Sequence, residues 1–384
     1  MSHRGQAHFP SLVRDYFVSD TDVEFMRRAL QWAEKGRGRV EPNPMVGSVV
    51  VKDGRIVGDG YHEVFGGPHG EINALDRAGD LAKGATLFVT LEPCCHHGKQ
   101  PPCTERVIAS GVSRVVYAMT DPNPLVSGKG GEQLRRAGLA VTTGVLESEA
   151  AELNAPFIKL VTKRRPFVHA KWAMSLDGKI GTAERESKWI TGAAARAHSH
   201  QFRGLLDAII VGSRTVHADN PMLTARPAGV RTAARVILDS TASVPLESQL
   251  VRTAREVPTI IACTSEAPLA HIKNLELAGC QCWIFPANSE GRVPVDLLLD
   301  EMGKRNWTNI LIEGGGEAIG AFLDVGEIDA VRIYIGSQVI GGKDSPVPSG
   351  GFGRTPLADS LQFKLETPLV LDGDIFITGQ RRIT

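Results

Sequence analysis

Between residues 68 and 103 the chain reads PHGEINAL at one end and LEPCCHHGKQPPC at the other, and no other stretch narrows the possible folds as far. It supplies an imidazole (His69), two proline-preceded thiols (Cys94 and Cys103) and a carboxylate (Glu71). Zn2+ prefers imidazole nitrogen and thiolate sulfur, and a catalytic site keeps three protein ligands and one open position. His69, Cys94 and Cys103 provide three. Glu71, two residues after His69, is placed to move protons without occupying the metal. Pro93 and Pro102 mark points where the chain turns into a helix, and a helix N-terminus favours thiolate over thiol. Whatever the fold, it must converge these two segments on one ion.

Each of these residues has an ordinary explanation by itself: a buried thiol, a satisfied surface histidine, a helix-start acid. The four together point to a catalytic zinc centre. A structural zinc would need a fourth ligand, which only Cys95, His96 or His97 could provide. The order His-x-Glu, Pro-Cys, Cys is that of the zinc deaminases. Those acting on nucleic acids or free cytidine usually place two residues between the cysteines, whereas eight intervene here. An insertion beside the metal should touch the substrate, with His96 and Lys99 as donors to a phosphate and Gly98 letting the loop turn.

With Glu41-Pro42-Asn43-Pro44, the PHGE segment and the long LEPC-to-PPC loop in view, the chain resembles the bifunctional riboflavin-biosynthesis deaminase/reductases. The resemblance covers nearly the whole chain. Gly70 stands where Ala is usual, Asn73 where His is common and Cys95 where Ser is common, but no ligand is lost. Motif position selects Cys94 over Cys95. The resemblance implies a cytidine-deaminase-like domain acting on a diaminopyrimidine ribosyl phosphate, with Asn43 and His62 touching the substrate, followed by a domain that reduces the ribose.

At 384 residues two domains are expected. Lys+Arg and Asp+Glu balance at 43 each, which argues against a nucleic-acid groove and so against a polynucleotide deaminase with an appended domain. A non-catalytic, zinc-stabilised nucleotide sensor is the other alternative, and ammonia release would exclude it. Cys263, Cys280 and Cys282 read as reduced thiols of a cytoplasmic enzyme. No run of 18 apolar residues is present, so no membrane span is expected. Residues 1–20 lack the apolar middle of a signal peptide and read as a polar extension.

From Thr21, Phe25, Met26, Ala29, Leu30 and Ala33 have helical spacing, with Asp20 and Thr21 as capping candidates. Val46 to Lys52 and Ile56 to Asp59 flank Asp53-Gly54, a hairpin signal. His69 opens a helix through Ala78, residues 85–91 form a buried strand leading to Cys94, and Cys103 opens another helix ending near Gly111. A strand at 113–119, a helix over Glu132 to Ala137 and a last helix over Glu147 to Thr162 complete a three-layer α/β/α domain with a mixed sheet. Pro166 cannot continue that helix, which sets the domains at 21–165 and 166–384.

The second domain again has α/β order, with strands expected at 167–173, 207–212, 235–239, 258–263 and 308–313 and helices near 193–204 and 294–304. Residues 329–340 and 361–379 read as antiparallel strands with no helix between them, and their edges make a homo-oligomer the expected assembly. Residues 310–317, ILIEGGGE, read as a strand, a glycine turn and a helix start, a geometry that suits a dinucleotide phosphate. Ile319 occupies the third glycine position of the Rossmann fingerprint, so that fingerprint is absent.

Lys171 through Gly178, Ser187 through Thr191, Ala218 through Pro221 and the glycine turn are similar to the family's reductase domain, which is dihydrofolate-reductase-like and binds NADPH. By motif position, Ala173, Trp189, Thr215, Asp219, Ser240 and Gly315, Gly316, Glu317, Ala318, Ile319, Gly320 and Ala321 are expected at NADPH. Ser187, Arg203, Leu223, Arg226 and Glu313 are expected at the ribosyl phosphate. Guanidinium groups bind phosphate bidentately, which suits Arg203 and Arg226. Lys171 is the first candidate proton donor, with Asp219 and Glu313 orienting. The preference for NADPH over NADH follows from the resemblance, since no 2′-phosphate pocket stands out in the sequence.

Overall fold

The computed structural model describes residues 19–96, 101–124 and 126–382. The described residues form two compact units, one comprising residues 19–35 and the described residues of 45–153, the other Gly36–Pro44 and residues 154–382.

The first unit opens with α1 (Asp20–Glu34). Its cap is Ser19, one residue before the expected candidates, in a capping box: Ser19 Oγ accepts from the Asp22 N–H, and Asp22 accepts from the Ser19 N–H. Asp22 also takes a bidentate pair from Arg114 at 2.8 and 3.0 Å, which ties the helix start to the sheet. Strands β1 (Gly47–Lys52) and β2 (Arg55–Tyr61) form the expected hairpin. Both turn residues, Asp53 and Gly54, have positive φ, as a two-residue turn of the type I′ kind requires.

Next come α2 (Gly70–Ala78), β3 (Thr86–Leu91), α3 (Cys103–Ala109), β4 (Arg114–Met119), α4 (Lys129–Arg136), β5 (Ala140–Thr143) and α5 (Glu147–Leu153). Sheet order is β2-β1-β3-β4-β5, antiparallel through β3 and parallel from β3 to β5. Residues of β1, β3 and β4 are buried almost without alternation, so both sheet faces are covered. Gly47 permits the close approach of α1, because a Cβ there would lie 2.1 Å from the Ala29 carbonyl oxygen.

The second unit begins with α6 (Ala155–Lys163), β6 (Phe167–Met174), α7 (Ala193–Arg203), β7 (Ala208–Gly212), α8 (Ser213–Asp219) and β8 (Ala234–Leu238). It continues through α9 (Gln249–Arg252), β9 (Thr259–Thr264), α10 (Leu269–Leu277), β10 (Gln281–Phe285), α11 (Val295–Lys304), β11 (Asn309–Glu313) and α12 (Gly316–Asp324). Strands β12 (Ala330–Ile335), β13 (Phe363–Leu365), β14 (Leu369–Leu371) and β15 (Asp374–Arg381) close it. The sheet runs β10-β9-β8-β7-β11-β6-β12-β15-β13, with β14 on β15. It is parallel from β10 to β12 and antiparallel from there. Alternate residues feed two cores: Ile210, Val236, Ile310 and Ile312 enter one, and Ile209, Val211, Ile237 and Leu311 the other.

Two local expectations change. The helix expected over 147–162 breaks at Asn154 into α5 and α6. The second of these helices is fastened within the second compact unit: Lys159 bonds Glu327 and Asp329, and Arg165 bonds Asp300 and Glu327. In the terminal region β12 lies parallel to β6 on one side and antiparallel only to β15, and the strand stops at Ile335.

Candidate active sites

His69 is the N-cap of α2, Cys94 lies just after β3, and Cys103 is the first residue of α3. The ring nitrogen and the two sulfurs lie within 4.8 Å of one another. His69 Nδ1 is 3.7 Å from Cys94 Sγ and 3.2 Å from Cys103 Sγ. Tetrahedral zinc with its usual Zn–S and Zn–N bonds would hold N and S ligands about 3.6 Å apart, so this donor set fits Zn2+. The Cys103 N–H donates to Cys94 Sγ at 3.4 Å, and Cys103 as a side-chain donor pulls the Cys94 thiol down to about 4. Burial alone would lower His69, but neighbouring Cys94 and Glu71 hold it up.

Glu71 sits in the first turn of α2, is 2% exposed, and its Oε2 has no hydrogen-bond partner. Burial pushes its carboxyl up to about 7, which poises it between acid and base near neutral pH. A buried, unpartnered carboxylate oxygen is costly unless something arrives to bond it.

His62 is buried with its ring edge-on to that of His69, centroids 5.0 Å apart, and its Nδ1 lies 2.9 Å from the Pro68 carbonyl oxygen. It therefore packs against a ligand. His96 is exposed near Asp121. Asn43 falls in residues 36–44, which pack with the second unit, and its N–H donates to Val40 O. Lys99 lies outside the described residues.

Two residues of this unit escaped the sequence reading. Glu92 is buried and accepts backbone N–H bonds from Asp121, Gly128 and Gly131, fixing the start of α4 beside Pro93-Cys94. Asp121 is buried and pushed up to about 6 by desolvation and by Glu92, against the Asn123 N–H bond. Its signal was visible, since Asp121-Pro122-Asn123-Pro124 repeats the acid-Pro-Asn-Pro pattern of residues 41–44.

In the second unit a cleft of 1910 Å³ opens over the C-terminal ends of the parallel strands. That is about twice the upper range for a single ligand pocket, room enough for a dinucleotide and a second small molecule. Lys171, Ala173, Ser187, Trp189, Arg203, Thr215, Asp219, Leu223, Arg226, Ser240 and Glu313 all line it, as do Gly315 through Ile319 and Ala321. Gly320 packs close to Gly350, where a Cβ would come within 2.4 Å of the backbone.

Gly314 and Gly315 have φ of 87° and 75°, and α12 starts immediately after them. Free backbone N–H groups there suit a pyrophosphate, so the cleft fits a nicotinamide dinucleotide. Arg203 is buried and bonds both oxygens of Glu313, with a third bond to Thr224 O. Its donors are thus turned toward Glu313, which leaves exposed Arg226 the freer of the two for a phosphate. Burial pushes Glu313 upward, yet Arg203 and Lys171 outweigh it and hold the carboxyl at about 2. Lys171 pairs in register with Glu313 on β11 and Arg332 on β12, and burial lowers its ammonium. Ser187 Oγ donates to Asp219 at 3.3 Å, while Trp189 stays exposed under the Arg196 guanidinium.

Two further cleft residues were missed. His200, one turn before Arg203, is lowered to about 4 by burial and by Arg203. Tyr334 is buried, its hydroxyl 3.0 Å from His198 Nδ1, with Lys171 Nζ 5.7 Å from its ring centroid. Neither belongs to a motif; strand register and the helix turn bring them in.

Comparison with known proteins also finds two regions, the second beginning at residue 166. A family model described as the cytidine and deoxycytidylate deaminase zinc-binding region matches residues 19–119, and one described as the RibD C-terminal domain matches residues 166–376. The riboflavin biosynthesis protein RibD of Actinobacillus pleuropneumoniae is 42% identical over 369 residues, covering 96% of this chain and 97% of the relative. The Acinetobacter baumannii RibD structure superposes with a TM-score of 0.81 at 35% identity, covering 94% of this chain and 99% of that one. A Thermotoga maritima diaminohydroxyphosphoribosylaminopyrimidine deaminase/5-amino-6-(5-phosphoribosylamino)uracil reductase gives 0.80 at 38% identity with the same coverage. A zinc-binding deaminase unit and an NADPH-dependent reductase unit in one polypeptide, matched nearly end to end by these relatives, place this chain in the RibD family of riboflavin-biosynthesis enzymes.

Proposed function

We propose that the first unit hydrolytically deaminates 2,5-diamino-6-(5-phosphoribosylamino)pyrimidin-4-one and that the second reduces the ribosyl chain of the product to ribityl. The observation that carries the first step is the unpartnered, buried Oε2 of Glu71 beside the His69, Cys94 and Cys103 cluster. His69, Cys94 and Cys103 would hold a zinc ion, which when bound would supply an activated water for the amino-bearing pyrimidine carbon. Glu71 takes the proton of the attacking water and passes it to the departing amine, which leaves as ammonia. Asn43, His62, His96 and Lys99 are assigned to the substrate, His96 and Lys99 toward its phosphate.

In the second unit NADPH supplies the hydride that reduces ribose C1′. As the C1′–O4′ bond breaks, Lys171 donates a proton to O4′; its lowered affinity for that proton suits the role. Glu313, ionised beside it and fixed by Arg203, orients the ammonium. Ser187, Leu223 and Arg226 hold the sugar phosphate.

Balanced charge supports a small-molecule substrate over a nucleic acid, and no helix among the described residues is long and apolar enough to cross a membrane. Six free cysteines fit a cytoplasmic setting, and the short terminal strands β13 and β14 are the proposed homo-oligomer edge. The test is to incubate the zinc-loaded protein with the diaminopyrimidine ribosylamino phosphate, with and without NADPH, recording ammonia and nicotinamide absorbance. Ammonia without NADPH, followed by NADPH oxidation on its addition, is the expected result; ammonia alone overturns the reductase assignment.

A further inference from the structure

The cleft has a charged outer end where two arginines, Arg214 and Arg292, have been given no role, although the Glu317 beside them is among the residues expected at NADPH. Strand order places β8 beyond β7, and β7 beyond β11 and β6. The chemistry lies over β6 and β11, at Lys171 and Glu313, and the pyrophosphate falls to the glycine turn and the α12 N-terminus. Ser240 and Thr241, just past the end of β8, line the same cleft on the side away from β6.

Two arginines wait there. Arg214, in the first turn of α8, bonds Glu317 Oε1, while Arg292 Nη2 lies 4.0 Å from Glu317 Oε2 and its Nε lies 3.6 Å from Glu290. Both line the cleft. The Arg292 loop is built rather than loose: Asn288 Oδ1 accepts the N–H groups of Glu290 and Arg292, and the Asn288 N–H donates to Arg292 O. A carboxylate thus sits between two guanidinium groups in the lining of the cleft.

We propose that Arg214 and Arg292 form the clamp for the 2′-phosphate of NADPH, with the Glu317 carboxylate as its internal stand-in, so that these residues set the preference for NADPH over NADH. This rests on the reductase reading above. A phosphate dianion presents more charge and more acceptors than a carboxylate, so it displaces Glu317 and takes both arginines bidentately. NADH, with a hydroxyl at that position, leaves the Glu317 pairing undisturbed and gains nothing from the clamp. The position is solvent-exposed, so the clamp should also weaken with salt.

The test is calorimetric titration of the full chain with adenosine 2′,5′-bisphosphate and with 5′-AMP, alongside NADP+. Arg214→Ala with Arg292→Ala should weaken bisphosphate binding at least ~10-fold and leave 5′-AMP unchanged. Glu317→Gln should tighten the bisphosphate by removing its competitor. Equal losses for both probes, or an unchanged bisphosphate affinity in the double variant, overturn the clamp while NADP+ binding by the wild type leaves the reductase reading standing. A wild type that binds neither NADP+ nor the bisphosphate overturns that reading and the clamp with it.

Discussion

The zinc cluster and the reductase cleft solve different geometric problems. The first converges three atoms on a point, using two helix starts within 35 residues of sequence. The second lays out a groove, gathering side chains from strands and loops between residues 171 and 352. A point site needs only that two segments meet, so local sequence can specify it. A groove needs the order and register of a whole sheet. Hydrolysis concerns one carbon and one water, whereas hydride transfer must align two extended molecules.

The sharpest test of that contrast is Glu71→Gln, which should lower ammonia release by at least ~10²-fold while reduction of already deaminated substrate continues. A parallel loss of NADPH oxidation would mean that the sites are not separable. Lys171→Met should do the reverse, cutting NADPH oxidation by roughly 10²-fold with ammonia release unchanged.

Next in size, Glu313→Gln should cost the protein about 3 kcal/mol at neutral pH, because it leaves Arg203 buried without its partner. Glu313 sits at about 2 when folded against 4.5 ordinarily, so its contribution is present above about pH 4.5 and fades as the pH falls toward 2. Urea midpoints of wild type and variant should therefore converge on acidification; a gap independent of pH would show that charge is not the cause. The smallest effect is expected at Glu92→Gln, about 1–3 kcal/mol from weakening an acceptor of three backbone N–H groups, read as a loss of thermal stability in the first unit.

The sequence disclosed these regions unequally, for the same geometric reason. The hairpin at Asp53-Gly54, the helices opening at His69 and Cys103 and the metal trio are all local patterns, and each formed where its residues indicated. Ser19 was passed over as a cap because the apolar periodicity begins later, although the Ser19–Asp22 spacing carries the capping-box signal. The break at Asn154 did carry a local signal, Pro156 in the first turn of α6, which reading 147–162 as one helix passed over; what fastens α6, the Lys159 pairs with Glu327 and Asp329, is remote in sequence. Tyr334 and His200 gave no signal at all, since only the pairing of β6 with β12 and the turn of α7 bring them beside Lys171. Arg203 was read as a phosphate ligand, and its bonds to Glu313 could not be read from sequence because they are a tertiary contact.

The short stretch Gly36–Pro44 has a consequence for how this protein can be taken apart. Both of its flanks belong to the first unit, yet it packs with the second, where Glu41 lies 3.6 Å from Arg231. The polypeptide thus passes from one unit to the other, back, and over again, like a thread carried through two pieces of cloth three times. A single cut near residue 153 frees neither piece cleanly: the amino-terminal fragment retains nine residues whose packing partners have gone, and the carboxy-terminal fragment loses them. Separate expression of the two activities is therefore expected to cost each fragment the packing of residues 36–44, a cost that redesign of that stretch would lower.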